Sequence, residues 1–144
     1  MVRRVHGVLL RGEVLVSMLA IEWLVSRRGL SATLHALAAM ERLLRRRRRS
    51  PATHLTTIPL VVAGVAQSLP GQHVCLAQAL TALVMCRRRR WPVTFHLGAR
   101  LANAPESASA VFMAHAWVEY RGHDLFGGSP HDFAPFPPLP RSTP

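Results

Sequence analysis

Apolar residues recur at helical spacing through the first third of the chain. A helix is predicted over residues 8–26, because one of its faces is apolar throughout. That face comprises Val14, Met18, Ile21 and Val25. Two arginines and then Gly29 form a helix stop signal. Ser31 can cap a second helix, which we expect to run to about Arg46.

Two further helices are predicted before the middle of the chain ends. The first runs from about Thr57 to Ser68, with Pro59 in its first turn, where proline is tolerated. Pro70-Gly71 then marks a turn. The helix after this turn begins near Cys75 and is closed by four arginines, residues 87–90. Its apolar stripe consists of Leu76, Leu80, Leu83 and Val84.

The pattern changes to strand-like alternation after Pro92. Strands are predicted over residues 93–100 and 110–120, and residues 123–127 can pair as a third strand after a turn at Arg121-Gly122. If the turn has two residues, Asp124 faces Glu119 and position 128 faces position 115. The second strand places His115, Trp117 and Glu119 on one face and three small or branched apolar residues on the other.

Helices followed by antiparallel strands indicate an α+β fold. A helical region over residues 1–69 and a core over residues 70–136 are expected to form one domain, since 144 residues suit a single core. Residues 137–144 form a proline-rich tail. From residue 129 onward the chain holds six of its eleven prolines, so no regular structure is predicted there.

The charge is strongly positive, at +11, and arginine supplies all 18 basic residues. Two dense runs, residues 45–49 and 87–90, suit either solvated helix ends or docking to an acidic partner. No nucleic-acid-binding motif accompanies them, so no nucleic-acid partner is expected. The best apolar run, residues 14–25, is too short to span a membrane and contains Glu22.

Two cysteines, Cys75 and Cys86, are too few for a disulfide scaffold. A reduced, cytoplasmic protein is therefore expected, with no metal or cofactor, since the histidines and cysteines lack metal-ligand spacing.

Cys75 and His115 are a candidate catalytic pair. A helix N-terminus and a neighbouring imidazolium both lower the pKa of a thiol, and free N–H groups at a helix start can stabilise an oxyanion. A strand packed on the helix can bring an imidazole to the sulfur. Both residues also have ordinary structural interpretations, as a core thiol and a satisfied strand histidine.

The order of these motifs resembles the transglutaminase-like leader peptidases of lasso-peptide biosynthesis. The matching residues are Cys75-Leu76, Leu80, Arg87 to Arg90, Gly98-Ala99-Arg100, His115 to Glu119 and Gly122. The resemblance implies a papain-like or transglutaminase-like core, with Cys75 as nucleophile and His115 as general base. It also implies that the enzyme removes the leader of a ribosomally made precursor before a cyclase closes the macrolactam.

The third catalytic residue departs from the family pattern, because Gly127 stands where an aspartate is usual. Asp132 can return from a loop and is the first candidate. Asp124 is the alternative, but it lies roughly 13 Å along the strand from His115 at about 3.3 Å per residue. Gln72 is a further candidate, as a donor to the oxyanion.

The resemblance further implies three partners: the precursor peptide, a separate leader-binding protein and an asparagine-synthetase-like cyclase. The separate leader-binding protein is expected because the chain has no room for such a domain before its helical region. A non-catalytic module that holds the precursor or a partner is the alternative, and the missing aspartate favours it.

Overall fold

The computed structural model describes residues 2–44, 55–69, 75–103, 110–128 and 132–136. Helix α1 spans Val2–Leu44, but Gly29 interrupts it with φ 76° and ψ 171°. This conformation is open to glycine and costly for other residues. The predicted stop at Gly29 is therefore confirmed, and α1 consists of two helical segments. Helices α2 (Thr57–Ser68) and α3 (Cys75–Arg88) also begin where their sequence patterns indicated.

In the described part of the chain, four antiparallel strands form one sheet in the order β3-β2-β1-β4. Strand β1 spans Thr94–Asn103 and β2 spans Ala110–Tyr120, and the two pair along their whole length. Strands β3 (His123–Asp124) and β4 (Ala134–Pro135) are short. Three helices followed by an antiparallel sheet confirm the predicted α+β class.

The turn between β2 and β3 has the predicted length of two residues. Arg121 and Gly122 both adopt positive φ, at 52° and 80°, as a type I′ turn requires. Glu119 accordingly pairs with Asp124. The register that the sequence predicted at this end of the hairpin is therefore confirmed.

Two expectations about the last third of the chain are wrong. The third strand does not run to residue 127, because the Asp124 carboxylate accepts hydrogen bonds from the amides of Phe126 (3.0 Å) and Gly128 (2.9 Å) and turns the chain away. Residues 115 and 128 are consequently not paired. The proline-rich segment is also not wholly irregular, since Ala134–Pro135 adds strand β4 to the edge of β1. Proline is tolerated on such an edge.

The core surrounds α3. Ala77 and residues 79–86 are all buried, between α1 and α2 on one side and the sheet on the other. The apolar face predicted for α1 is buried as well, with Val14, Met18 and Ile21 almost inaccessible. Fully burying one such side chain contributes about 1.5–3 kcal/mol, so the packing of α1 contributes substantially to the stability of the core.

An ion pair fixes α1 to the end of α3. The guanidinium of Arg89 binds both carboxylate oxygens of Glu13, at 2.6 and 3.4 Å, and only 7% of the Arg89 side chain is exposed. Arg88 approaches the same carboxylate at 2.9 Å. Residues 87–90 are thus not simply a solvated helix end, because Arg88 and Arg89 bind Glu13 and so connect the end of α3 to α1.

Candidate active site

Cys75 is the first residue of α3. Its thiol is free and half-buried, and its side chain packs against the edge of the core. The first N–H groups of a helix have no partner within the helix, so a substrate oxygen placed beside Cys75 could accept their hydrogen bonds. Within the described residues, α3 begins at Cys75, where the sequence predicted a helix start.

His115 lies in the middle of β2, the strand that packs against α3. Trp91, just after α3, contacts Tyr120 at the end of β2 with ring centroids 5.7 Å apart, so the carboxyl ends of α3 and β2 lie close together. From that end, Cys75 lies about 20 Å back along α3 and His115 about 17 Å back along β2. Helix α3 buries Ala116 but leaves Ala114 exposed.

The imidazole of His115 is held between two aromatic rings. It stacks on Trp117 with centroids 6.0 Å apart and planes 11° apart. Phe133, next to β4, covers it from another direction at 5.0 Å. The guanidinium of Arg100 lies 4.9 Å from the centre of the Phe133 ring and so helps to hold that ring in place.

A second histidine, His96, completes this aromatic stack. Its ring lies 5.3 Å from Trp117, nearly parallel, so the buried indole is sandwiched between two imidazoles. The Trp117 indole N–H donates to Glu119 at 2.9 Å, and the same carboxylate lies 3.3 Å from His96. The predicted shared face of His115, Trp117 and Glu119 is therefore confirmed.

The sequence reasoning missed the roles of His96 and Phe133. Alternation alone puts His96 on the same face of β1 as Arg100, but it does not show which β2 residues lie opposite. The pairing of His96 with Trp117 depends on the register of β1 and β2, whose connecting segment has no turn signal that fixes it. Phe133 was in a segment from which no strand was expected.

Cys75 and His115 belong to opposite faces of the sheet. Helix α3, which begins at Cys75, packs on one face, and the His115 side chain lies on the other. Ala116 and Val118 point to the helices, whereas His115 and Trp117 point to the opposite face. Within the described residues, no hydrogen bond joins the Cys75 thiol to His115. Among the described residues, however, the β3 side of β2 is paired only from Val118 to Tyr120, so none of them pairs with this edge of β2 beside His115. The predicted Cys75–His115 pair stays a prediction.

The two candidate aspartates occupy different environments. Asp132 is exposed and lies 3.9 Å from Arg100, the residue that also contacts Phe133. It therefore does return toward the face that carries His115. Asp124 caps the turn after β3 with its two backbone hydrogen bonds. Neither carboxylate is hydrogen-bonded to His115, and Gln72 lies outside the described residues.

Cys86 differs sharply from Cys75. It is inaccessible in the middle of the core, and burial raises the pKa of its thiol to about 12, although nearby Arg89 opposes the shift. Such a thiol stays protonated and cannot act as a nucleophile at neutral pH.

The described residues contain neither a metal-ligand cluster nor a membrane-spanning helix. No group of three or more metal-ligating side chains comes together in that part of the chain. None of the described helices is both long enough and apolar enough to cross a membrane.

These features define an α+β protein in which a free cysteine starts the central helix and a histidine lies on the adjoining antiparallel strand. The chain belongs to the transglutaminase-like superfamily, because the model of that family matches residues 15–141. The match begins within α1 and extends through the sheet. Neither the curated proteins nor the solved structures contain a significant match.

Proposed function

We propose that the protein is a cysteine peptidase that removes the leader from a ribosomally made lasso-peptide precursor. The observation that supports the proposal is the free, half-buried Cys75 at the start of α3, with His115 on a strand that packs against this helix, in a chain of the transglutaminase-like superfamily. That superfamily includes cysteine proteases and acyltransferases. The lasso-peptide substrate rests on the resemblance of residues 75–122 to its leader peptidases.

In the proposed reaction, His115 takes the proton of the Cys75 thiol, and the sulfur attacks the carbonyl carbon of the scissile peptide bond. The α3 N-terminal amides hold the resulting oxyanion. The C–N bond then breaks, His115 protonates the departing amine, and a thioester remains on Cys75. Water, deprotonated by His115, hydrolyses the thioester and restores the thiol.

This chemistry requires the imidazole to turn toward the edge of β2 on the β3 side. In the structure the ring is stacked between Trp117 and Phe133, and it contacts neither Cys75 nor a carboxylate through a hydrogen bond. Cysteine–histidine catalysis does not depend absolutely on a third residue, because the orienting group sets the geometry of the base and does not attack. Asp132 is the proposed orienting residue, since it lies on the same side as His115.

The test is incubation of the purified chain with the precursor, followed by mass spectrometry. Cleavage at one bond, releasing an intact leader and a core peptide with a free amine, is the expected result. The isolated chain should act slowly, and addition of the separate leader-binding protein should raise the rate. A precursor that stays intact in the presence of both proteins would refute the proposed activity.

A non-catalytic precursor-binding module is the second candidate, and one observation favours it. No described carboxylate is hydrogen-bonded to His115, and the family's usual aspartate is replaced by Gly127. This alternative predicts that the chain binds the precursor without cleaving it, so the same incubation distinguishes the two.

A further inference from the structure

Helix α1 is apolar on two opposite faces. One face is buried against the rest of the core through Val14, Met18 and Ile21. The opposite face carries a second set of large apolar side chains, here called the α1 stripe: Val8 (70% exposed), Leu9 (66%), Val16 (68%), Leu19 (48%) and Trp23 (56%). Successive residues of a helix are rotated by about 100° around its axis, so these five side chains point into an arc of roughly 100° on one side of α1. A helix that is apolar on both sides is normally covered on both.

The α1 stripe is also shaped for close contact. Gly12 lies on it, between Leu9 and Val16, and a methyl group added there would meet nothing within 4 Å. An exposed glycine within a helix costs about 0.5–1 kcal/mol relative to alanine. Its small size at the centre of an exposed apolar surface allows the backbone of another protein to approach.

Arginines border one margin of the α1 stripe. Arg27 is exposed there, and Arg88 is brought toward the same margin by Glu13, with 45% of its side chain accessible. On the other margin, Glu22 lies between the stripe and Arg11. The whole chain carries +11. A second copy of the chain would bring the same charge and be repelled, whereas an acidic protein with an apolar centre to its contact patch would be complementary.

We propose that the α1 stripe is the docking surface for an acidic partner protein. This inference rests on the proposed function, in which a separate leader-binding protein presents the precursor, and it assigns that protein's docking surface. Apolar side chains at the centre, with Trp23 among them, and arginines along one margin match the usual composition of a protein–protein interface.

The test measures the affinity of the purified leader-binding protein by calorimetry. The double variant Leu19→Glu/Trp23→Glu should bind at least about tenfold more weakly, as expected when central apolar contacts are lost. The matched control is Leu60→Glu, which changes an equally exposed leucine (73%) on α2 and should bind normally. The charge reversal Arg27→Glu leaves the apolar side chains of the stripe unchanged; it should weaken binding most at low salt. Thermal melts confirm that every variant is folded.

Separate measurements distinguish failure of this inference from failure of the proposed function. The stripe variants should keep the slow cleavage shown by the isolated chain and lose only its stimulation by the partner. Normal partner binding by the double variant, or no binding by the wild type, would overturn the inference and leave the peptidase activity untouched. Two further results would also overturn it. One is self-association of the wild type in sedimentation that the double variant abolishes. The other is binding of the wild type to vesicles of phosphatidylserine and phosphatidylcholine that the double variant abolishes.

Discussion

The two thiols show how strongly position determines cysteine chemistry. Cys75 and Cys86 lie on the same helix, yet one is half-buried at its first residue and the other is enclosed in the core. The sequence placed Cys75 after a turn and Cys86 within the same helix, but it did not indicate that Cys86 is enclosed, because Arg87 to Arg90 follow it directly. Their separation of about 16 Å along the helix also rules out a disulfide between them.

Alkylation should therefore modify one thiol in the folded protein. Iodoacetamide near pH 8 is expected to label Cys75 and leave Cys86 unmodified, and mass spectrometry of digested peptides identifies the site. In denaturant both should react. Burial raises the pKa of the Cys86 thiol from its ordinary value of 9.0 to about 12 in the folded chain. The stability that this raised pKa contributes is therefore complete below pH 9 and is lost as the pH rises toward 12. Rapid labelling of Cys86 in the folded chain would contradict this packing.

The two aspartates also have separable roles. Asp124→Ala removes two hydrogen bonds to backbone amides, so the free energy of unfolding should fall by about 1–3 kcal/mol. Asp132→Ala removes only an exposed, long ion pair with Arg100 and should leave the free energy of unfolding nearly unchanged. Denaturant titration measures both.

Cleavage rates then test the third catalytic residue. We expect Asp132→Ala to reduce the rate more than Asp124→Ala, and His115→Ala to reduce it most, because an orienting residue is less essential than the base. Near-normal rates in both aspartate variants would mean that Cys75 and His115 act as a dyad.

At the scale of elements, the helices and the β2–β3 hairpin could be predicted because their signals are local. Apolar periodicity, Gly29 and the Arg121-Gly122 turn each act over a few residues. Strand β4 could not be predicted in this way. Its pairing depends on a distant strand edge and on space created by Gly98, neither of which is visible in the sequence of residues 132–136.

Gly98 allows three elements to meet. A β-carbon at this position would lie 2.8 Å from the carbonyl oxygen of Ala134 and 3.0 Å from the Trp117 ring. Gly98→Ala should therefore push β4 or Trp117 away and destabilise the fold by about 1–3 kcal/mol. Gly64→Ala is the matched control: it places the same methyl group in open space on α2 and should stabilise by about 0.5–1 kcal/mol. Equal melting temperatures for the two variants would contradict the described packing around His115.

At the scale of the whole molecule, the α+β class followed from the order of the elements, and the family match supports it over residues 15–141. The position of Cys75 could also be predicted, because a helix start has a sequence signature. The orientation of the His115 imidazole ring could not be predicted, since it depends on the β1–β2 register and on the contact with Phe133. That orientation makes movement of the imidazole toward Cys75 a requirement of the proposed reaction.

The most direct test of the central proposal compares two cysteine variants in precursor cleavage. Cys75→Ala should remain folded and lose activity by more than ~10³-fold, because it lacks the attacking sulfur. Cys86→Ala should retain most of the activity of the wild type, because that thiol is buried and protonated. Mass spectrometry of the precursor, with both leader-binding protein and enzyme present, gives the rates. Undiminished cleavage by Cys75→Ala, or a folded but inactive Cys86→Ala, would contradict the assignment of Cys75 as the nucleophile.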